Sequence, residues 1–275
     1  MDGFHFTVRE YFGSIPFNFL GLFFYVLLVI LLIKRSRFKT TSFYIMPFFS
    51  IYFGLVTANL FGIFLNGNDS SLITRNEAVT VMIIKSFFFF WEGTKVLYGG
   101  YFGSLIGIFV FCILFKKKSY LSTLFDISAI GISLLFAMWR LSCFTGGCCY
   151  GVPSETLGIN FAKYSSAYVH LMNTALILPD GSATVPLIPT QLISSVANFL
   201  IFLFLLTAYL KNGKRPYFVF FMHMLLYGGF RFIIEFFRKD PREFWGPLSI
   251  SQWIFIAMLP FILSFFLRNK PKKNQ

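Results

Sequence analysis

Charged residues are scarce in this sequence. Only 13% of its 275 residues are charged, and just 11 are acidic. Soluble globular domains carry about 25% charged residues, so this composition excludes an ordinary soluble protein. The chain also lacks a polar stretch long enough for a separate soluble module, because apolar runs extend nearly from end to end. We therefore expect a single polytopic membrane domain over residues 1–275.

The N-terminal residues, MDGFHFTVRE, lack the basic n-region of a secretory signal peptide, and no small-residue cleavage site follows the apolar run after Ile15. We therefore expect no cleaved signal peptide here. The excess of Lys and Arg, which gives a net charge of +13, lies in short clusters between apolar runs. Membrane orientation and anionic lipid explain such clusters better than nucleic acid, so no nucleic-acid partner is expected.

Hydrophobic residues are abundant instead, at 56% of the chain, and they form seven runs long enough to cross a bilayer as helices. The runs lie near residues 17–33, 43–65, 98–115, 120–139, 190–210, 217–237 and 248–267. A further apolar stretch, residues 79–97, contains Lys85, Glu92 and Lys95, so it is either an eighth span or a re-entrant hairpin. The predicted fold class is an all-α integral membrane protein with about seven transmembrane helices.

Basic clusters predict the orientation of these helices. Clusters follow the first, third, fifth and seventh runs and begin at Lys34, Lys116, Lys211 and Arg268. The positive-inside rule places all four in the cytoplasm, together with the C-terminus. An odd number of crossings must then separate the second run from Lys116, which makes 79–97 a re-entrant segment. The N-terminus and a loop region over residues 140–189 are expected on the outer face.

The sixth run carries polar residues on one broad stripe if it is helical. These are His223, Tyr227, Arg231, Glu235 and Arg238. Ionisable residues at membrane depth are costly, so the stripe is expected to face a protein cavity. One interpretation is a structural ion pair between Arg231 and Glu235, which are spaced i,i+4. The other is an anion site: two arginines for one glutamate, with Arg140 at the same depth, leave positive charge suited to phosphate.

Two glycine pairs lie near these arginines in the predicted topology. Gly99-Gly100 and Gly146-Gly147 could bring backbone N–H groups close to the same phosphate, or simply permit tight turns and helix contacts. The pairs alone do not separate these interpretations.

Cysteine is rare, and three of the four cysteines lie close together at Cys143, Cys148 and Cys149. On the outer face a disulfide forms if the geometry permits, and Cys143 with Cys148 is the candidate pair. A zinc site needs further Cys or His ligands at workable spacings, and the nearest outer-face histidine is His170. We therefore expect packing or a disulfide and no metal. Cys112 lies within an apolar run and is expected to be an inert small hydrophobe.

Four motifs follow one another from Trp91 onward. They are WEGTKVLYGG (91–100), RLSCFTGGCCYG (140–151) after Asp126, IPTQL (188–192), and YGGFRFIIEFFRKD (227–240) with GPLSISQW (246–253). In order and spacing they resemble the bacterial prolipoprotein diacylglyceryl transferases. The corresponding family motifs are W-E-G-G-M-S-F-H-G-G, G-R-I-G-N-F-I-N-G-E-x-Y-G, H-P-[ST]-Q-L, Y-x-x-x-R-F-x-I-E-F-x-R-x-D and G-x-L-S-x-x-Q-W.

The resemblance implies an enzyme that moves diacylglyceryl from phosphatidylglycerol to the lipobox cysteine of a prolipoprotein. The products are a thioether and glycerol phosphate, and no cofactor is implied. The implied partners are phosphatidylglycerol or another anionic phospholipid and a prolipoprotein signal peptide. The implied location is the bacterial cytoplasmic membrane, with the active site towards the outer face.

Site residues follow from the stripe and from the matched motif positions. The expected catalytic residues are Arg140, Arg231, Glu235 and Tyr98. The expected substrate-binding residues are Gly99, Gly100, Gly147, Tyr150, Gly151, Tyr227, Arg238 and Gln191.

The motifs also depart from the family pattern. Tyr98 replaces the histidine before Gly-Gly, Cys143 and Gly146 replace the two signature asparagines, Cys148 replaces the glutamate, and Ile188 replaces the histidine of H-P-[ST]-Q-L. Tyrosine is a poor base for the acceptor thiol, and Glu235 is an alternative. His223 is discounted as a direct base because it lies eight residues, or about 12 Å, inward of Arg231. Two other hypotheses stay open: a relative that binds phospholipid headgroups without thiol transfer, and an enzyme that uses a different acceptor.

Overall fold

The computed structural model is helical throughout its membrane segments and describes residues 2–36, 38, 40–66, 87, 97–212, 215–240 and 244–268. Eight α-helices are described: α1 Asp2–Arg35, α2 Met46–Asn66, α3 Leu97–Leu114, α4 Leu121–Gly146, α5 Ser166–Leu171, α6 Thr190–Asn212, α7 Phe218–Ile234 and α8 Ile250–Arg268. Short 3-10 turns cover Thr41–Ile45, Lys118–Tyr120 and Glu235–Phe237. A two-stranded antiparallel hairpin, β1 Phe244–Trp245 and β2 Leu248–Ser249, pairs Phe244 with Ser249.

Six helical segments in the described residues are long and apolar enough to cross a membrane. They are Pro16–Arg35, Thr41–Gly62, Lys118–Gly146, Thr190–Lys211, Phe218–Phe237 and Ile250–Arg268, and a shorter apolar helix covers Tyr98–Leu114. The predicted all-α, multi-pass membrane architecture is confirmed, and each of the seven predicted runs coincides with one of these helices. The predicted re-entrant segment 79–97 lies outside the described residues, apart from Phe87 and Leu97.

Helix ends follow simple electrostatics. Basic residues occupy the last turns of α1, α6 and α8, with Lys34 and Arg35, Lys211, and Arg268. A cation there is attracted to the partial negative charge of the free carbonyls at a helix C-terminus. The same residues that predict orientation therefore also stabilise the helix ends.

Helix α4 extends further than the apolar run that predicts it. The run ends at residue 139, but the helix continues to Gly146, so Arg140 lies inside the helix. Gly147 adopts a left-handed φ of 72° and ends it, and the backbone N–H of Cys148 donates to the Cys143 carbonyl at 3.1 Å. Glycine reaches this conformation without steric cost, which makes it a common C-terminal cap.

The chain divides into two compact units. The first contains residues 1–25, 133–213 and 218–275, and the second contains residues 26–132 and 214–217. In the first unit, the segment between α4 and α6 has its own small core of Tyr150, Phe161, Ala167, Leu171 and Leu187. Short β-bridges and the capped helix α5 hold this loop region together.

In the second unit, α2 and α3 pack with their backbones very close. A Cβ atom at Gly103 would overlap Oγ1 of Thr57 and the carbonyl oxygen of Phe53. Thr57 Oγ1 also lies 2.8 Å from the Gly99 carbonyl oxygen. Small residues at such a crossing let two membrane helices approach closely and gain van der Waals contact.

Replacing Gly103 with alanine is expected to lower the free energy of unfolding by about 1–3 kcal/mol, because the added methyl group overlaps Thr57. Thermal unfolding in detergent would measure the loss. Gly100→Ala is the matched control, since the nearest atom to its added Cβ is the Cβ of Ala58 at 3.6 Å. Equal unfolding temperatures for the two variants would contradict the packing described for this helix pair.

Candidate active site

Arg140 is buried in α4, and no carboxylate of the described residues pairs with it. It is 8% exposed and stands about one and a half turns before the end of the helix. Within the described residues its guanidinium makes no hydrogen bond or ion pair. A buried charge of this kind is unfavourable unless an anion reaches it.

Two further arginines share one buried carboxylate near the end of α7. Oε2 of Glu235 lies 3.0 Å from Nη2 of Arg231 and 3.5 Å from Nη1 of Arg238. Its other oxygen, Oε1, accepts a hydrogen bond from the Ser251 hydroxyl at 3.2 Å. Both oxygens of Glu235 are therefore occupied, which suits a positioning role better than proton transfer.

Arg238 is held on its other side by Asp240. Nε of Arg238 donates to Oδ1 at 2.9 Å, and Nη2 donates to Oδ2 at 2.6 Å. This two-pronged geometry is the strongest way for a guanidinium to bind a carboxylate. Burial lowers the pKa of Arg238, but its interactions with Cys149 and Asp240 outweigh this effect and raise the pKa above its ordinary value. Arg238 therefore stays charged.

The cluster retains an excess of positive charge. Three guanidiniums, from Arg140, Arg231 and Arg238, interact electrostatically, while Glu235 and Asp240 supply two carboxylates. Nη1 of Arg231 is also fully buried without a hydrogen-bond partner in the described residues. Among the described side chains, the carboxylates leave one positive charge uncompensated. This charge and the buried unused donor are features that a phosphate would satisfy.

The predicted polar stripe is only partly helical. His223, Tyr227 and Arg231 follow α7, with the rings of His223 and Tyr227 stacked at 5.6 Å. The α-helix then ends at Ile234, Glu235 begins a 3-10 turn, and Arg238 is extended at φ −90° and ψ 144°. The uninterrupted helical stripe to residue 238 is therefore wrong, because the chain leaves the helix to pair with the loop after α4.

That pairing joins the segment after α7 to the loop after α4. Arg238 forms an antiparallel β-bridge with Gly151, the Val152 N–H donates to the Phe237 carbonyl at 2.9 Å, and the Lys239 N–H donates to the Tyr150 carbonyl at 3.1 Å. A Cβ at Gly151 would lie 2.7 Å from the Phe237 oxygen. Only glycine allows the strands to come this close.

The IPTQL segment fixes the loop that carries the cysteines. The Thr190 hydroxyl donates to the Cys149 carbonyl, and Nε2 of Gln191 donates to the Cys148 carbonyl at 2.6 Å. Cys149 adopts a left-handed φ of 60°, which is unusual for a non-glycine residue and is stabilised by these two bonds. Oε1 of Gln191 is buried without a partner in the described residues and stays available to a ligand donor.

The three loop cysteines are free thiols gathered at one point. The Sγ atoms of Cys143, Cys148 and Cys149 all lie within 4.8 Å of one another, and none forms a disulfide. Hydrogen bonds from Cys143 and Cys148, followed by the charges of Arg238 and Arg140, lower the pKa of Cys149. Hydrogen bonds with Cys143 and Cys149, followed by burial, raise the pKa of Cys148.

The predicted site residues fall into two groups. Arg140, Gly147, Tyr150, Gly151, Gln191, Tyr227, Arg231, Glu235 and Arg238 all belong to the first unit. Tyr98, Gly99 and Gly100 lie at the start of α3 in the second unit. A Cβ at Gly99 would lie 2.8 Å from both the Phe61 Cβ and the Thr57 carbonyl oxygen, so Gly99 is required for helix packing.

Residue patterns alone did not assign three supporting groups. Asp240 clamps Arg238, Ser251 supports Glu235, and Thr190 supports Cys149. All three fall within the quoted motifs, which is the signal that could have identified them. Their roles depend on contacts between segments that are distant in sequence.

Glu235→Gln is expected to lower the free energy of unfolding by about 3 kcal/mol, because it removes the buried counter-charge shared by Arg231 and Arg238. Chemical or thermal unfolding in detergent measures this. Glu155→Gln is the control, since Glu155 is exposed in the loop region and forms none of these contacts. If the two variants are equally stable, the shared carboxylate does not stabilise the site.

The family model for prolipoprotein diacylglyceryl transferase matches residues 5–268. A phosphatidylglycerol-prolipoprotein diacylglyceryl transferase of Clostridium tetani is 32% identical over 63% of this chain and 63% of its own length. One from Clostridium perfringens is 38% identical over 60% of this chain and 58% of its own.

A third such protein, from Prochlorococcus marinus strain MIT 9215, is 31% identical over 71% of this chain and 68% of its own length. The matches to the two clostridial relatives thus span about three fifths of their lengths. The match over residues 5–268, together with the four motifs and the arginine cluster they form, shows that this chain belongs to the prolipoprotein diacylglyceryl transferase family.

Proposed function

We propose that this chain transfers the diacylglyceryl group of phosphatidylglycerol to the lipobox cysteine of a prolipoprotein. The observation that carries the proposal is the buried guanidinium of Arg140, which no described carboxylate neutralises, beside a cluster with excess positive charge. Family membership and the names of the relatives support the same reaction.

The phosphate of phosphatidylglycerol is the anion that the cluster would bind. Arg140 and Nη1 of Arg231 are its proposed donors, since both have hydrogen-bonding capacity that the described residues leave unused. Gln191 Oε1 is the proposed acceptor for a hydroxyl of the glycerol headgroup. Glu235 and Asp240 hold Arg231 and Arg238 in place and act as positioning residues.

The reaction is a displacement at the glycerol carbon that bears the phosphate ester. The sulfur of the acceptor cysteine attacks this carbon and forms a C–S bond, while the C–O bond to the phosphate breaks and its electron pair stays on the leaving oxygen. Negative charge grows on the phosphate as the bond breaks. Fixed guanidinium groups stabilise that charge without reorganising, which is the main source of catalysis proposed here.

The thiol proton needs a path to the products. Tyr98 occupies the position of the family's histidine, and a neutral phenol can accept one hydrogen bond while donating another. From its motif position alone we assign Tyr98 a relay role: the phenol would accept the thiol proton and pass its own proton on, so that the proton ends on the leaving phosphate. This route needs no ionised tyrosine and leaves all charges balanced.

The location follows from the basic residues at the helix ends. Lys34 and Arg35, Lys211, Arg268 and the sequence Lys116 to Lys118 would face the cytoplasm of a bacterium. The N-terminus, the loop region after α4 and the arginine cluster would then face outward. A lipid headgroup and a translocated prolipoprotein both reach that side of the cytoplasmic membrane.

A second candidate function is binding of phospholipid headgroups without transfer to a thiol. The replacement of the family's histidine by Tyr98 and of its signature asparagine by Cys143 favours it. The two functions differ in one observable, the thioether product, because both require the arginine cluster.

Arg140→Ala is expected to lower the transfer rate by about 10²–10³-fold, the usual effect of removing one donor to a developing anion. The assay uses purified protein in bilayers that contain phosphatidylglycerol, a lipobox peptide, and mass spectrometry of the diacylglyceryl thioether. Arg215→Ala is the control because Arg215 is exposed outside the cluster. No product from folded, lipid-bound wild-type protein would refute the transferase and leave the binding function.

Tyr98→Phe is expected to lower kcat by about 10²-fold with little change in lipid binding, because it removes a proton-transfer group. Tyr101→Phe is the matched control, since Tyr101 is equally buried one turn further along α3. Equal kcat values for the two variants, measured by initial rates of thioether formation, would exclude the relay.

A further inference from the structure

The three clustered cysteines have no part in the transfer reaction proposed above. Cys143 lies in the last turn of α4, and Cys148 and Cys149 follow the left-handed turn at Gly147 that folds the chain back on that helix end. Their Sγ atoms lie within 4.8 Å of one another. Three sulfurs bound to one ion at about 2.3 Å in a plane would be about 4.0 Å apart, so only a small adjustment separates the thiols from a coordinating geometry.

The backbone holds the three thiols in this arrangement before any ligand arrives. The Cys148 N–H donates to the Cys143 carbonyl at 3.1 Å, Gln191 binds the Cys148 carbonyl at 2.6 Å, and Thr190 binds the Cys149 carbonyl. Each cysteine of the group thus has its main chain fixed by a hydrogen bond. A pre-formed site binds an ion without the entropic cost of ordering a loop.

The type of ligand set selects the ion. Thiolates are soft ligands that favour Cu(I), whereas structural zinc is almost always bound by four protein ligands. In the described residues no further His, Cys, Asp or Glu joins the three thiols as a fourth ligand. Arg238, which interacts electrostatically with Cys149, would offset part of the negative charge of a three-thiolate complex of a monovalent ion.

We propose that Cys143, Cys148 and Cys149 form a trigonal site for Cu(I). Binding releases the three thiol protons, forms three Cu–S bonds and leaves the oxidation states of copper and sulfur unchanged. The sequence pattern favours packing or a disulfide and no metal, whereas the folded arrangement gathers free thiols at one point. The site does not depend on the transferase reaction.

Copper binding is tested on the full chain in detergent, reduced and then freed of reductant under anaerobic conditions. Competition with the chromophoric Cu(I) chelator bicinchoninate gives the affinity and the stoichiometry. We expect one Cu(I) per chain, and X-ray absorption showing three sulfur neighbours at about 2.3 Å. An absence of Cu(I) binding, a coordination shell dominated by nitrogen or oxygen, or preferential binding of Zn(II) would overturn the proposal.

Single serine replacements identify the ligands. Cys148→Ser and Cys149→Ser are each expected to weaken Cu(I) binding by more than about 100-fold, since even outer partners of metal ligands contribute 10- to 100-fold. Cys112→Ala is the matched control because Cys112 is buried in α3, outside the cluster. Thermal unfolding shows that each variant is folded, and Cu(I) affinity unchanged in both serine variants would refute the site.

Discussion

The buried positive charge of Arg140 is the constraint on which the rest of the site depends. A guanidinium inside a membrane protein is tolerated only with an anion or water nearby. Here the two nearby carboxylates are already committed, Glu235 to Arg231 and Arg238, and Asp240 to Arg238. These carboxylates thus neutralise the arginines that frame the site, and no carboxylate of the described residues is left for Arg140. A lipid phosphate has the negative charge and the acceptor oxygens that would pair with the Arg140 guanidinium.

The early end of α7 sets the different surroundings of Arg238 and Arg140. If the helix continued through Arg238, that residue could not form its β-bridge with Gly151. The extended segment instead ties the end of α7 to the loop after α4, and Thr190 and Gln191 hold the same loop from α6. Three motifs that are far apart in sequence therefore meet in one unit, and their hydrogen bonds are mostly to backbone atoms. Such contacts fix position while leaving the charged side chains for chemistry.

Much of the architecture could be predicted because a bilayer imposes it. A spanning helix needs about 20 apolar residues, so hydropathy alone locates the helices. Their ends are harder to predict. Residues 140–146 are too polar to extend an apolar run, yet they stay helical because the backbone must keep its hydrogen bonds until Gly147 can end the helix.

The site was predictable only in part. The spacing of Arg231 and Glu235 indicates their ion pair correctly, since i and i+4 are neighbours on a helix. The clamp of Asp240 on Arg238 and the meeting of Cys143 with Cys149 depend on turns whose geometry comes from tertiary contacts. Residue spacing gives no distance between such groups. Helical periodicity also predicts a polar stripe that continues past Ile234. It carries no information about the β-bridge to Gly151 that Arg238 forms beyond the end of the helix.

The most direct test of the account is an experimental structure of the protein in a bilayer mimetic that contains phosphatidylglycerol. The account predicts a lipid phosphate within hydrogen-bonding distance of the Arg140 guanidinium and of Nη1 of Arg231, with the Glu235 and Asp240 contacts unchanged. A headgroup bound elsewhere, with Arg140 paired to a protein carboxylate, would contradict it.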